Sequence, residues 1–249
     1  MISVSGLVVH LGGKPVVDGL SFSLAPGEFV AMAGPNGAGK STALKAVAGV
    51  TPITSGSVRF GEADADRISR SARARTLAWL PQLRSVAWNL RAEDVVALGR
   101  FIESPAPYDR LGTADRAAVD AALVKSDAAH LAGRSVQALS GGEQARVHLA
   151  RLLVSPAPSL LLDEPCASLD ISHQLSLMQT LSNEAASGRA VMVVLHDLEL
   201  AARYCSRVIV MDGGRKVADG PPDASLSDGV LRRVFAVQRG PSGGLVRAG

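Results

Sequence analysis

The feature that most limits what this chain can fold into is the run Gly34-Pro35-Asn36-Gly37-Ala38-Gly39-Lys40-Ser41-Thr42. It fits the phosphate-binding P-loop pattern, which requires a strand before it and a helix after it. Glu28 to Ala33 reads as a buried strand and Ser41 to Ala48 as a helix, so the context is present. Glycines lack Cβ atoms and let the backbone curl until successive N–H groups, with the positive end of the helix, face the β- and γ-phosphates of a nucleotide. Lys40 adds a point charge and Ser41 a hydroxyl for Mg²⁺. The competing reading, a chance glycine-rich turn, does not account for the strand and helix on either side.

A second constraint lies far downstream. Leu160-Leu161-Leu162-Asp163-Glu164-Pro165 reads as a buried strand ending in two carboxylates, the arrangement needed beside a phosphate-bound metal. Asp163 is expected to hold Mg²⁺ through water. Glu164 is expected to orient the attacking water and take its proton, as a general base within hydrogen-bond reach. Alone, an apolar run followed by Asp-Glu is commonplace; paired with the P-loop it gains meaning. Leu139-Ser140-Gly141-Gly142-Glu143-Gln144 has a structural reading, the S-x-x-E capping box of a helix running to Leu153. A capped start with two glycines also exposes N–H groups to an anion.

Periodicity supplies the rest of the architecture. Leu7 to Leu24 alternates like half-buried strands, with Leu20, Phe22 and Leu24 on one face and a turn at Gly12 and Gly13. From about Asn89 to Pro156 the period becomes helical, with Val95 and Leu98, Val119 and Leu123, and Leu149 and Leu152 spaced for one helix face. Strand character returns at Leu160 to Leu162 and Ala190 to Leu195, each followed by a helix or turn, as in a wound parallel sheet. A hairpin around Asp212, Gly213 and Gly214 precedes a last short helix near Val230 to Phe235. The glycine-rich segment 240–249 is expected to be a mobile tail.

Composition excludes other classes. The chain has 249 residues, 47% hydrophobic and 20% charged, enough for a substantial core. Its apolar runs fall far short of the roughly 20 residues a membrane-crossing helix needs. The start, Met1 to His10, lacks the marks of a secretory signal, so a cytoplasmic location is expected. Cys166 and Cys205 are too far apart for a CxxC motif and are read as thiols. The net charge of +3 comes from scattered Arg and Lys rather than a stripe, so no nucleic-acid partner is expected.

With the P-loop, the acidic strand and the Ser140 helix in place, the chain resembles the ABC ATPase family from about Val4 to Phe235. The resemblance includes the family's motif order. By that likeness Leu80-Pro81-Gln82 is the Q-loop, Ser140-Gly141-Gly142-Glu143-Gln144 the signature, Ser168-Leu169-Asp170 the D-loop, and His196 the switch histidine. Taken singly, His196 would more often be a hydrogen-bonded structural histidine and Gln82 a surface loop residue. Their joint occurrence around a P-loop lifts both.

The resemblance implies an α/β P-loop cassette over residues 1–239, with a mixed sheet core, a small antiparallel β subdomain and a helical subdomain at about 89–156. It implies that Gln82 touches Mg²⁺ and the membrane subunit, that His196 contacts the γ-phosphate from its own chain, and that Asp170 belongs to the nucleotide site. Ser140, Gly141, Gly142 and Glu143 would meet the nucleotide held by the P-loop of a second copy. Val95-Val96-Ala97-Leu98-Gly99-Arg100, His196-Asp197-Leu198, Ala201-Ala202-Arg203-Tyr204 and Val217-Ala218-Asp219-Gly220 look most like the ATPases of importers for iron–siderophore complexes, haem and cobalamin. Such systems imply a homodimer peripheral to the cytoplasmic face of the cell membrane, two permease subunits and an extracytoplasmic binding protein.

One position departs from the family. Many members place an aromatic residue near the end of the first strand to stack on adenine, and here Leu11 falls there, with His10 as the neighbour a register shift would substitute. The rival class, an ABC-type ATPase acting on DNA or the ribosome, would carry a long coiled-coil insertion or two cassettes in one chain. Neither is visible. An ordinary P-loop kinase has no use for the Ser140 motif.

Overall fold

The structure, a computed structural model, describes residues 1–82, 89–240 and 244–247. Its first half contains β1 (Ile2–Leu11), β2 (Lys14–Leu24), β3 (Phe29–Ala33), α1 (Lys40–Val47), β4 (Ser55–Phe60), β5 (Ala63–Asp64), α2 (Arg70–Thr76) and β6 (Leu77–Leu80). A helical stretch follows, with α3 (Ala92–Ala97), α4 (Thr113–Lys125) and α5 (Gly141–Leu153). The chain then returns to the sheet through β7 (Ser159–Asp163), α6 (Ile171–Ala186), β8 (Ala190–Val194), α7 (Leu198–Tyr204), β9 (Arg207–Asp212) and β10 (Arg215–Gly220). Two short strands, β11 (Val237–Arg239) and β12 (Leu245–Arg247), close it.

The alternation of β2 buries Leu20, Phe22 and Leu24 and leaves Ser21 and Ser23 outside, as period-two patterning requires. Gly12 and Gly13, at φ 57° and 78°, make the left-handed turn that folds β2 back onto β1. These strands and β4 and β5 form an antiparallel sheet in the order β2-β1-β4-β5. The larger sheet runs β10-β9-β3-β8-β7-β6. Its strands β9, β3, β8, β7 and β6 are parallel and only β10 is antiparallel.

In β3, β7 and β8 every residue is buried, because both faces are covered. On one face Ala31, Leu160, Leu162, Val191 and Val193 join a core with α5 and α6. On the other, Val30, Met32, Leu161, Met192 and Val194 join one with α1 and the antiparallel sheet. The ends of β3, β6, β7 and β8 therefore open on one edge, where ligands bind in wound parallel sheets.

Two expectations need correction. Leu98 does not share the buried face of Val95: α3 gives way at Leu98–Arg100 to a tighter 3₁₀ turn, whose different angular step leaves Leu98 46% exposed while Val95 is fully buried. The segment after Gly240 is not simply a loose tail. Val237, Gln238 and Arg239 pair antiparallel with Arg247, Val246 and Leu245, and Val237 and Leu245 pack against the larger core. Residues 241–243 and 248–249 of that expectation lie outside the described residues.

Candidate active site

β3 delivers the P-loop beneath β2 and β9. A Cβ on Gly39, which sits at φ +92°, would lie 2.4 Å from the Val16 carbonyl oxygen, and one on Gly34 would lie 2.2 Å from that of Met211. No side chain could occupy either position without moving backbone. Gly39 caps α1 with no side-chain hydrogen bond, so the first N–H groups of that helix remain available to an anion. Lys40 is buried and folds back to donate from Nζ to the carbonyl oxygens of Gly34 (2.7 Å) and Pro35 (2.8 Å). Burial lowers its pKa, partly offset by the charges of Glu164 and Asp163. The cleft above, about 150 Å³, is lined by Val16, residues 36–42 and Glu164.

β7 carries the acidic pair to the same place. Asp163 is fully buried at the strand's end and accepts a 2.7 Å hydrogen bond from Ser41 Oγ on Oδ1. Its Oδ2 is buried without a hydrogen-bond partner among the described residues. Burial pushes the Asp163 carboxyl above the usual range, the Ser41 hydroxyl pulls it down and neighbouring Glu164 pushes it up again. Glu164 adopts φ +49°, a left-handed conformation costly for a residue with a Cβ. Its carboxylate is gripped from both sides: Gln82 Nε2 donates to Oε2 at 2.7 Å, and His196 Nε2 stands 2.7 Å from Oε1. Gln82 follows β6, and His196 lies between β8 and α7. Gln82, which the resemblance expects at Mg²⁺, has its amide on the second carboxylate.

The Ser140 motif forms the expected capping box. Ser140 Oγ accepts from the Glu143 N–H (3.3 Å), and Glu143 Oε2 accepts from the Ser140 N–H (2.8 Å). The Glu143 carboxylate is held below its usual range, first by the Ser140 backbone N–H, then by the Ser140 hydroxyl and the Arg134 guanidinium. Ser140 and Gly141 are exposed. Gly141 and Gln144 line a second cleft, about 220 Å³, with Gln82, Ala167 and Ser168. Among the described residues that line the P-loop cleft, none belongs to the signature. Asp170 caps α6, its Oδ1 accepting from the His173 N–H at 2.9 Å.

At the first hairpin, Leu11 is 48% exposed and pairs with Lys14. The imidazole of His10 is held by Thr54, with Nδ1 3.2 Å from Oγ1, and the His10 N–H donates to the same oxygen. Val16, which sequence reasoning missed, presses its carbonyl on Gly39 and lines the P-loop cleft. The signal was the Gly12-Gly13 turn, which brings the chain back over the phosphate loop.

A P-loop, a buried acidic strand end and a glutamine and histidine meeting on the carboxylate that follows it, with a capped helix start on a separate neighbouring cleft, define an ATP-binding-cassette ATPase. The sequence matches the ABC transporter family over residues 17–167, and the chain belongs to that family. The hemin import ATP-binding protein HmuV of Pseudomonas fluorescens is 44% identical over 243 residues, covering 96% of this chain and 93% of that one. The HmuV of Nocardia farcinica is 46% identical over 237 residues, covering 92% and 81%. The cobalamin import ATP-binding protein BtuD of Halobacterium salinarum is 41% identical over 251 residues, covering 98% and 62%. A solved dimeric bacterial ABC transporter cassette has the same fold, with a TM-score of 0.80 at 25% identity, covering 89% of this chain and 99% of that one. The chain is thus an ATPase that serves transport.

Proposed function

We propose that this chain energises the import of a metal chelate, with haem favoured over cobalamin and iron–siderophore complexes. It works as a homodimer on the cytoplasmic face of the membrane, with two permease subunits and an extracytoplasmic binding protein. The near full-length likeness to hemin import ATPases supports the substrate class. The grip of Gln82 and His196 on Glu164, beside Ser41 and Asp163, is the observation that carries the chemistry.

Mg²⁺ fits this site, because the buried Asp163 Oδ2 has no hydrogen-bond partner among the described residues and lies on the carboxylate that Ser41 already contacts. Ser41, Asp163 through water, and Gln82 would hold it. When bound it would neutralise charge on the β- and γ-phosphates. The P-loop N–H groups and Lys40 cradle the phosphates, which draws Lys40 Nζ from its own loop carbonyls. Water attacks the γ-phosphorus as the bond to the β-phosphate oxygen breaks, and Glu164 takes the water's proton. His196 and Gln82 orient that carboxylate and reach towards the γ-phosphate. Ser140, Gly142 and Glu143 of each chain complete the site of the other, since none of them is among the described residues that line their own P-loop cleft.

Mixing tests the composite site. Lys40→Ala and Ser140→Arg damage different halves, so a mixed dimer regains one intact interface and with it partial ATP-dependent dimerisation in gel filtration. No gain on mixing means that each site is built within one chain. For the substrate, ATP hydrolysis by the complex in vesicles should rise when the binding protein carries haem. A rate indifferent to haem and raised by cobalamin would move the reading to the second substrate, and co-purification with ribosomes or DNA would overturn transport altogether.

A further inference from the structure

The Ser140 helix and the segment after the acidic strand are joined by a side-chain relay through Arg146 and His173, two residues outside the motifs named above. Arg146, on α5, donates from Nη1 to Asp127 Oδ2 at 2.9 Å and also contacts His173 Nε2. His173, in the first turn of α6, brings Nδ1 to 2.8 Å from Asp170 Oδ1. The ring thus bridges Arg146 and Asp170, and its Nε2 also stands 3.5 Å from Asp127 Oδ2. Asp170, in turn, is held below the usual carboxylate range by the His173 N–H and then by the ring.

The relay links three elements: the turn after α4 (Asp127), α5 (Arg146) and the start of α6 (His173 and Asp170). Only 13% of the Arg146 side chain is exposed, so its geometry is restricted by packing. The same surfaces touch at a second point, since a Cβ on Gly142 would stand 3.3 Å from the Ser168 carbonyl oxygen. We propose that Arg146 and His173 are positioning residues for hydrolysis. They fasten the Ser168-Leu169-Asp170 segment to the helix that begins at Ser140, so that the two surfaces offered to a second copy move as one body. This rests on the composite-site reading above.

Another ion pair provides a control. Lys125 Nζ lies 2.9 Å from Glu184 Oε1 and ties α4 to the far end of α6 without touching either segment. The full-length protein is assayed for kcat, KM for ATP, Tm and ATP-dependent dimerisation. Arg146→Lys and His173→Ala should each lower kcat about tenfold, the scale of one such coupling. KM for ATP should stay at the parent value, since the P-loop is untouched. The double variant should be no slower than the slower single one, because either change breaks the same relay. His173→Gln, whose amide can accept from Arg146 and donate to Asp170, should recover part of the loss, and Lys125→Ala should keep the parent kcat. If His173→Ala unfolds, Arg146→Lys and His173→Gln carry the test. Parent kcat in both, additive losses in the cycle, or an equal loss in Lys125→Ala would overturn the inference. Failure of the composite site would instead leave the Lys40→Ala and Ser140→Arg mixture without recovery, a separate result.

Discussion

The P-loop edge and the Ser140 helix start both expose backbone N–H groups, yet they are built in opposite ways. At the P-loop edge the chain buries Lys40 and Asp163 and strains Glu164 into left-handed backbone. Ionised groups there lose solvation and are compensated only in part, as the shifts of Lys40 and Asp163 record. At the helix start nothing is strained: the capping box is complete, its glutamate is stabilised as a carboxylate, and Ser140 is exposed. One end stores unfavourable terms that a triphosphate and a cation would relieve. The other is a finished helix terminus whose function depends on what approaches it.

The sharpest way to test that contrast is Glu164→Gln, which keeps size but removes the proposed base. Turnover should fall on the order of 10² to 10⁴, while ATP still binds and the variant accumulates as an ATP-bound dimer in gel filtration. A variant hydrolysing at the parent rate would break the contrast, because the strained end would then hold no essential group.

Asp163→Asn tests the cost of the buried charge. Without nucleotide its Tm should rise by a few degrees, the shift that about 1 kcal/mol gives in a chain of this size. The further rise that Mg²⁺-ATP gives the parent should disappear. The pH dependence has a definite sign. Burial raises the Asp163 pKa above its unfolded value of about 3.9, so folding takes up a proton. That contribution is complete below about pH 4 and is lost as pH rises through the folded value. Thermal melts of the parent between pH 4 and 7 should contain this loss, and those of Asp163→Asn should lack it.

The smallest effect concerns the base. Leu11, exposed at the hairpin, offers apolar contact without a π-face, so the parent should discriminate poorly between ATP and GTP. Leu11→Tyr should bind both several-fold more tightly, at the low end of the roughly 1–3 kcal/mol that base–aromatic stacking contributes in single-stranded nucleic-acid sites. His10→Ala should change little, since Thr54 already holds that imidazole. A tenfold loss in His10→Ala with no gain in Leu11→Tyr, read by equilibrium nucleotide binding, would reverse the two assignments.

What the sequence revealed in advance was local. The P-loop, the acidic strand and the capping box are each written in consecutive residues, because backbone conformation over six to nine positions defines them. Contacts between distant segments were not legible. Gln82 and His196 lie 82 and 32 residues from Glu164, and only the parallel register of β6, β7 and β8 brings them to one carboxylate. The Arg146–His173 contact escaped for the same reason. Leu98 was misread because the spacing assumed an α-helical step where the chain tightens. The final strands were misread because glycines obscured the apolar pair Val237 and Leu245 that docks them.

The left-handed backbone at Glu164 also bears on how such a chain would change over generations. Glycine adopts φ +49° freely, whereas a residue with a Cβ pays about 1–2 kcal/mol for it. Folding on its own therefore favours replacing the very residue proposed as the base. A lineage released from the demand for hydrolysis would drift towards glycine or asparagine here, gaining thermal resilience while keeping a P-loop that still grips its nucleotide. On the proposed role, continued selection for repeated cycles is what holds the glutamate in place.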